Sequence, residues 1–272
     1  MVSYTWGWDL CYTCNYRCPY CGAWETKSDR DLLLNTEQWL DIWNRIFDRY
    51  GSCRIYMSGG EPATYPYFYE LIRELTKKHI VDICTKLYWD VDKVIPEISS
   101  ENLKISATFH PSFADFEVFF AKVVKIKEYL SNAQIFYVAY SGQIKEMPER
   151  SRRFKEKGVN LIPLPLRGNQ IVLNTEEEKK IIEEVTPYEG EKKEYQLQRI
   201  SPKGKLCRAG QYYAVIRATG VVDRCSQYRD SSVGNILNEN FKLYDEPLPC
   251  EKEYCPIESQ WIISEAMHVG KI

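Results

Sequence analysis

From Val2 to about residue 164 the sequence repeats one pattern: a short β-branched or aromatic run, then a longer stretch with apolar residues at helical spacing. Val2 to Leu10 is β-prone through Tyr4, Thr5, Trp6 and Trp8; Thr36 stands as an N-cap with Glu37 in the first turn, and Trp39, Leu40, Ile42, Trp43, Ile46 and Phe47 then recur every three or four positions up to Gly51. These are the periods of strands and helices. The spacing goes on to predict strand 53–57, helix 66–78, strand 80–86, helix 91–99, strand 103–109, helix 115–130, strand 134–140, helix 146–157 and strand 159–164. Six strands alternating with helices call for parallel pairing and right-handed crossovers. A (β/α) barrel and an open doubly wound sheet satisfy that alternation equally. In the barrel, sites form where the C-terminal ends of the strands converge.

Just past the first strand, Cys14-Asn15-Tyr16-Arg17-Cys18-Pro19-Tyr20-Cys21 sets three thiols on one loop at intervals that reach a single inorganic cluster. A [4Fe–4S] cube takes four ligands, normally four thiolates, so three cysteines leave one iron open to a small molecule. The bland alternative is half of a zinc site. Zinc usually pairs C-x2-4-C with a second Cys/His pair, and the three histidines, His79, His110 and His268, are remote in sequence. About 40 residues after the loop, the second strand ends in Ser58-Gly59-Gly60-Glu61-Pro62.

Cys14-x3-Cys18-x2-Cys21, with an aromatic before the last cysteine and this Gly-Gly-Glu-Pro turn downstream, resembles the radical S-adenosylmethionine (SAM) superfamily. The resemblance implies a partial, six-stranded (β/α)6 TIM-like barrel in which Cys14, Cys18 and Cys21 hold a [4Fe–4S] cluster. The free iron would chelate SAM, and reductive cleavage would yield a 5′-deoxyadenosyl radical that abstracts a hydrogen atom. By the same resemblance, the SAM contacts are Tyr20 beside the adenine, Gly59-Gly60-Glu61 for the methionine amino group, and Thr85, Ser106 and Thr108 for the carboxylate and ribose. Glycines let backbone approach a ligand closely, and a carboxylate accepts charge-assisted hydrogen bonds. The family's glycine-rich adenine motif on the fifth strand is not recognisable in Phe136 to Gly142.

Residues 167–200 form a charged linker with one exposed helix over 176–184 and a connecting stretch over 187–194. Cys207, Cys225, Cys250 and Cys255 follow, and Tyr212 to Ile216 and Val221-Val222 flank Ala218-Thr219-Gly220 as a hairpin that would bring Cys207 and Cys225 together. Four thiolates hold either zinc or a fully ligated cluster, and spacing leaves the choice open. C-x12-G-x4-C downstream of such a core resembles the auxiliary-cluster segment called SPASM, or its shorter form Twitch, which implies a second [4Fe–4S] cluster. The expected organisation is a barrel over 1–166, a linker over 167–200 and an auxiliary-cluster domain containing a β-hairpin over 201–272.

Three cysteines remain. Cys53 begins the second strand, away from the chemistry, and reads as a packed small hydrophobe. Cys84 and Cys11 lie near strand C-termini and are candidate catalytic hydrogen-atom donors, the role a cysteine plays in radical epimerases. His110 follows the fourth strand and is placed to face the same pocket.

The net charge of −2 gives no electrostatic footprint for nucleic acid, and no apolar run approaches the ~20 residues that cross a bilayer. With no signal peptide at the N-terminus, a cytoplasmic, reducing location is expected, as cluster thiolates require. The expected activity is oxidoreductase or epimerase chemistry on a small molecule such as a sugar or cyclitol, since no further domain precedes the first strand. Peptide modification by thioether formation or epimerisation is the alternative, and a non-catalytic zinc or iron–sulfur scaffold is the reading of another class. An electron donor such as flavodoxin or ferredoxin is the implied partner.

Overall fold

The protein is described here by a computed structural model covering residues 4–21, 31–93, 95–130, 133–165, 174–190, 193–194, 197, 199–226, 232–253, 255 and 268–269. All six expected strands are present: β1 (Thr5–Cys11), β2 (Arg54–Gly59), β3 (Ile80–Thr85), β4 (Leu103–Phe109), β5 (Gln134–Ala139) and β6 (Leu161–Pro165). They pair in sequence order, every neighbour parallel. Helices α1 (Thr36–Tyr50), α2 (Phe68–Leu75), α3 (Phe116–Tyr129), α4 (Met147–Glu156) and α5 (Glu176–Val185) complete the pattern. The fold is mixed α/β with a largely parallel sheet that does not close, that is, a partial barrel.

Three local expectations need correction. The helix expected over 91–99 is instead two short 3-10 turns, Val91–Lys93 and Ile95–Glu97. Pro96 has no N–H to donate and its ring would clash with the carbonyl four residues back, so an α-helix cannot run through it. The cap of α1 is Asn35 rather than Thr36: its side chain accepts from Gln38 N while the Gln38 side chain accepts from Asn35 N, a capping box. Finally, α5 is not wholly exposed, since Ile182 and Val185 are buried.

Four tryptophans set the outer wall. Trp6 and Trp8 of β1 meet Trp39 and Trp43 of α1, with the Trp8 ring 4.6 Å from Trp39 and 5.3 Å from Trp43. None of the four is more than 1% exposed. Such pairs contribute roughly 0.5–1.5 kcal/mol beyond the area they bury. The alternate residues of β1 turn the other way: Asp9 accepts from Ser58 Oγ (3.1 Å) and Tyr12 Oη (3.3 Å) on the concave side.

The C-terminal part adds β7 (Leu206–Cys207), β8 (Tyr213–Ile216), β9 (Val221–Asp223), β10 (Ser232–Asn235), β11 (Leu248–Pro249) and β12 (His268–Val269). The hairpin expected around Ala218-Thr219-Gly220 is β8–β9, with Gly220 at φ +82° in its turn. A residue with a Cβ would be strained at that angle. β8 also pairs in parallel with β1, so one nine-stranded sheet runs β10-β9-β8-β1-β2-β3-β4-β5-β6. A second, three-stranded sheet is ordered β11-β7-β12. Within the expected linker, residues 167–173, 191–192, 195–196 and 198 lie outside the described residues. No described helix is long and apolar enough to cross a membrane.

Candidate active site at the C-terminal edge of the sheet

Strand register brings the two motifs together. Cys11 of β1 pairs with Gly59 of β2 across a bulge that leaves Leu10 unmatched, and Cys84 of β3 pairs with Ser106 of β4. Bulges of this kind re-aim a chain near functional sites. Beyond the pairing, Gly60 N donates to Cys11 O (2.7 Å) and Glu61 N to Thr13 O (2.9 Å), so the glycine turn is zipped to the loop carrying the cysteines. Only glycine fits there. Gly59 sits at φ +122°, and a Cβ on Gly60 would stand 2.3 Å from Thr13 O.

A cavity opens at this edge, lined by Tyr12, Cys14, Tyr16, Cys18, Cys21, Gly60, Glu61, Cys84, Thr85, Lys86, Thr108 and His110. All three loop cysteines therefore face one space, as a cluster bound by that loop requires. Among the described residues, no three His, Cys, Asp or Glu side chains converge closely enough for a single metal ion. Instead the thiols ring a cavity.

Glu61 is 1% exposed and its carboxylate is engaged: Thr85 Oγ1 donates to Oε1 (2.6 Å) and Lys86 N to Oε2 (3.0 Å). Burial pushes its pKa up, against those donors and the Lys86 charge. The carboxylate thus binds the β2 turn to the end of β3. The next residue but one, Leu87, holds φ +59°, unusual for a side chain with a Cβ. Leu87 N donates to Thr85 Oγ1 (3.0 Å), and Lys122 Nζ donates to Leu87 O (2.7 Å). Held in this way, the turn points Lys86 at the cysteine loop, with Nζ 3.1 Å from Cys14 Sγ, bonded to Asn15 Oδ1, and 3.9 Å above the Tyr16 ring.

The other candidates divide. Thr85 and Thr108 line the cavity, whereas Ser106 is fully buried one layer below and accepts from Gln134 Nε2 (3.0 Å). Tyr20 stacks on His110 with rings 10° apart, and its hydroxyl is 3.0 Å from His110 Nδ1. His110 Nδ1 also lies 3.5 Å from Cys18 Sγ, so a histidine remote in sequence is adjacent in space. Burial and the Lys86 charge push His110 down to about 4, leaving it neutral near pH 7. Cys18 is pushed up by burial.

The two cysteines proposed as hydrogen donors are separated. Cys84 lines the cavity, while the Cys11 thiol packs behind the glycine turn, 3.7 Å from Glu61 O and 3.6 Å from Thr64 Oγ1. Burial pushes Cys11 up to about 11. Cys53 is buried beside the start of β2, where its N–H donates to His79 Nδ1 (3.2 Å).

Cys207, Cys225 and Cys250 gather in one buried group with Ala209, Tyr213 and Val215, while Cys255 is half-buried. Ala209 N donates to Cys207 Sγ (3.5 Å). Arg224 organises the group. Its guanidinium donates to the carbonyls of Ala209 (2.9 Å), Pro249 (2.9 Å), Leu248 (2.5 Å) and Cys207 (3.4 Å).

Residues 9–106 match the model of the radical SAM superfamily. A 73-residue segment is 34% identical to the mycofactocin maturase MftC of Mycobacterium ulcerans, covering 27% of this chain and 19% of that protein. The matching MftC of Mycobacterium tuberculosis is also 34% identical over 73 residues and is covered to 18%. The chain therefore matches less than a fifth of the length of these curated relatives. Among solved structures, SuiB of Streptococcus suis bound to S-adenosylmethionine is similar at TM-score 0.64 and 14% identity, covering 88% of this chain and 64% of SuiB. Native anSMEcpe with bound AdoMet is similar at TM-score 0.61 and 15% identity, covering 85% of this chain and 78% of that one. These two likenesses show the shared fold.

The polar residues that sequence reasoning missed are Lys86, Tyr12 and Tyr16. Their one signal was adjacency: Lys86 follows Thr85, and the tyrosines flank the cysteines.

Proposed function

We propose that this chain is a radical SAM enzyme in which Cys14, Cys18 and Cys21 hold a [4Fe–4S] cluster and SAM lies against the Gly59-Gly60-Glu61 turn, Thr85 and Thr108, with Tyr20 alongside. The convergence of the three thiols and the glycine turn on one cavity carries this reading. When bound, the cluster and SAM would supply one-electron cleavage to a 5′-deoxyadenosyl radical that removes a hydrogen atom from the substrate. Thr85 and Lys86, through Glu61, fix the turn against the cysteine loop, and Ser106 supports the strand end from below. Cys207, Cys225, Cys250 and Cys255 are proposed to hold a second, auxiliary cluster, supported by the buried grouping of the first three.

A peptide substrate is favoured by the relatives: MftC is a maturase, and SuiB, which shares this fold, has been solved bound to its precursor peptide SuiA. Cys84 on the cavity wall favours epimerisation. Its S–H would return a hydrogen atom to the substrate carbon, leaving a thiyl radical that one electron and one proton from a flavodoxin- or ferredoxin-class donor restore. The same chemistry would serve a sugar or cyclitol.

Anaerobic reconstitution tests the whole reading. Brown protein holding about eight irons, and release of 5′-deoxyadenosine on reduction with SAM, are expected for two [4Fe–4S] clusters. Colourless protein carrying zinc instead identifies a scaffold. In heavy water, an epimerase incorporates one solvent deuterium at the product carbon, and Cys84→Ala stops that turnover while SAM cleavage continues.

A further inference from the structure

We propose that Lys86 is a positioning residue of the cluster at Cys14, Cys18 and Cys21, donating a charged hydrogen bond to the Cys14 sulfur that raises the cluster's reduction potential. The inference rests on the cluster reading above and adds a residue outside both sequence motifs.

Three observations point to this role. The ammonium is close and aimed: Nζ is 3.1 Å from Cys14 Sγ and also bonds Asn15 Oδ1 of the same loop. It is sequestered as well. Lys86 is 7% exposed, with Nζ 3.9 Å from the Tyr16 ring centroid and 5.5 Å from that of Tyr88. A lysine is rarely buried without a charge to serve, and the rings that cover it keep water from screening it. Lastly, the backbone is committed to the arrangement. Lys86 N is tied to Glu61 Oε2, and Leu87 is held at φ +59°. A conformation of that kind persists only where surrounding structure over-determines it.

The chemistry follows from charge. A cluster bound by thiolates becomes more negative on reduction, and its potential is set by net charge, by hydrogen bonds to the sulfurs and by solvent exposure. A fixed cation donating to one ligand sulfur stabilises the reduced form more than the oxidised form. The chain thereby eases entry of the electron it needs. One electron is taken up from an external one-electron donor and no covalent bond of the protein changes.

The test is a potentiometric titration followed by electron paramagnetic resonance of reconstituted wild type, Lys86→Met, Lys86→Gln and Lys86→Arg. The signal that changes on adding SAM identifies the cluster at the cysteine loop. At the potential where the wild type is half reduced, the reduced-to-oxidised ratio should fall about tenfold or more in Lys86→Met, a shift of ~59 mV for one electron. Lys86→Gln, which keeps a donor without the charge, should fall between the two, and Lys86→Arg should stay within about threefold of wild type. Should Lys86→Met fail to hold iron, Lys86→Gln is read alone. An unchanged potential in whichever variant is read overturns the proposal, and calorimetry showing that the variant loses only SAM affinity assigns Lys86 to the ligand instead. Iron content separates this failure from that of the parent reading: wild type without iron sinks both, whereas iron-loaded protein with an unmoved potential sinks only Lys86.

Discussion

The two groups of cysteines meet their surroundings in opposite ways. Cys14 and Cys21 are half-buried on a loop and face open cavity space beside a cation and a glycine turn. Cys207, Cys225 and Cys250 are all buried, packed with Tyr213 and Val215, under an arginine whose donors go to four backbone carbonyls. The first arrangement would leave room for a molecule to reach a bound metal; the second would enclose one. The contrast teaches that a thiol group's access, more than its spacing, separates a site that binds a reactant from one that holds structure or relays an electron.

The largest effect should come from opposing single substitutions. Cys18→Ala should abolish 5′-deoxyadenosine formation and about half the iron, whereas Cys225→Ala should lose a similar amount of iron and keep SAM cleavage. If both variants lose cleavage alike, the two groups are not independent and the comparison breaks. Next, Arg224→Met would take the guanidinium donor from the carbonyls of the buried Ala209 and Cys207, at about 1–3 kcal/mol each where water cannot replace it. Hydrogen exchange should quicken over residues 205–225 and 248–250 while exchange over β1 to β4 stays unchanged. Spread of the loosening to the cysteine loop would show that the enclosed group also supports the open one.

The smallest effect isolates the body common to both. His79, 2% exposed, is pushed down to about 4 by burial, and its Nδ1 accepts from Cys53 N, so the folded state requires the neutral ring. With an unfolded value near 6.5, this contribution is complete above pH 6.5 and lost as pH falls toward 4. At pH 5.5 the loss is roughly 1 kcal/mol. Urea unfolding of wild type and His79→Gln at pH 7 and 5.5 should show the variant with the flatter dependence. Equal slopes would mean that the acid sensitivity arises elsewhere.

The expectations that survived best were those fixed by local repetition. β4 spans 103–109 as expected and α3 is one residue shorter at each end than expected, because the apolar periods there are long and uninterrupted. Where a single residue overrides a period, as Pro96 does, the pattern misleads. The cysteine loop and the glycine turn were legible because each is a short run whose parts act together. Lys86 was not, since its partner lies 72 positions away and only the closing of β3 against the loop joins them. The contact of His110 with Cys18 was hidden for the same reason. The pairing of β8 with β1 is likewise non-local, and no period of 2 or 3.6 encodes which strand a hairpin will sit beside.

That last pairing bears on how the molecule comes into being. Thr5 to Trp8, synthesised some two hundred residues earlier, waits for Tyr213 to Ile216 before one of its flanks has a mate. Until then the nascent barrel carries an unsatisfied row of amides and carbonyls, the template on which chains stick to each other. A truncation upstream of Tyr213 would leave that row bare for good, so aggregation, rather than simple inactivity, is its natural outcome.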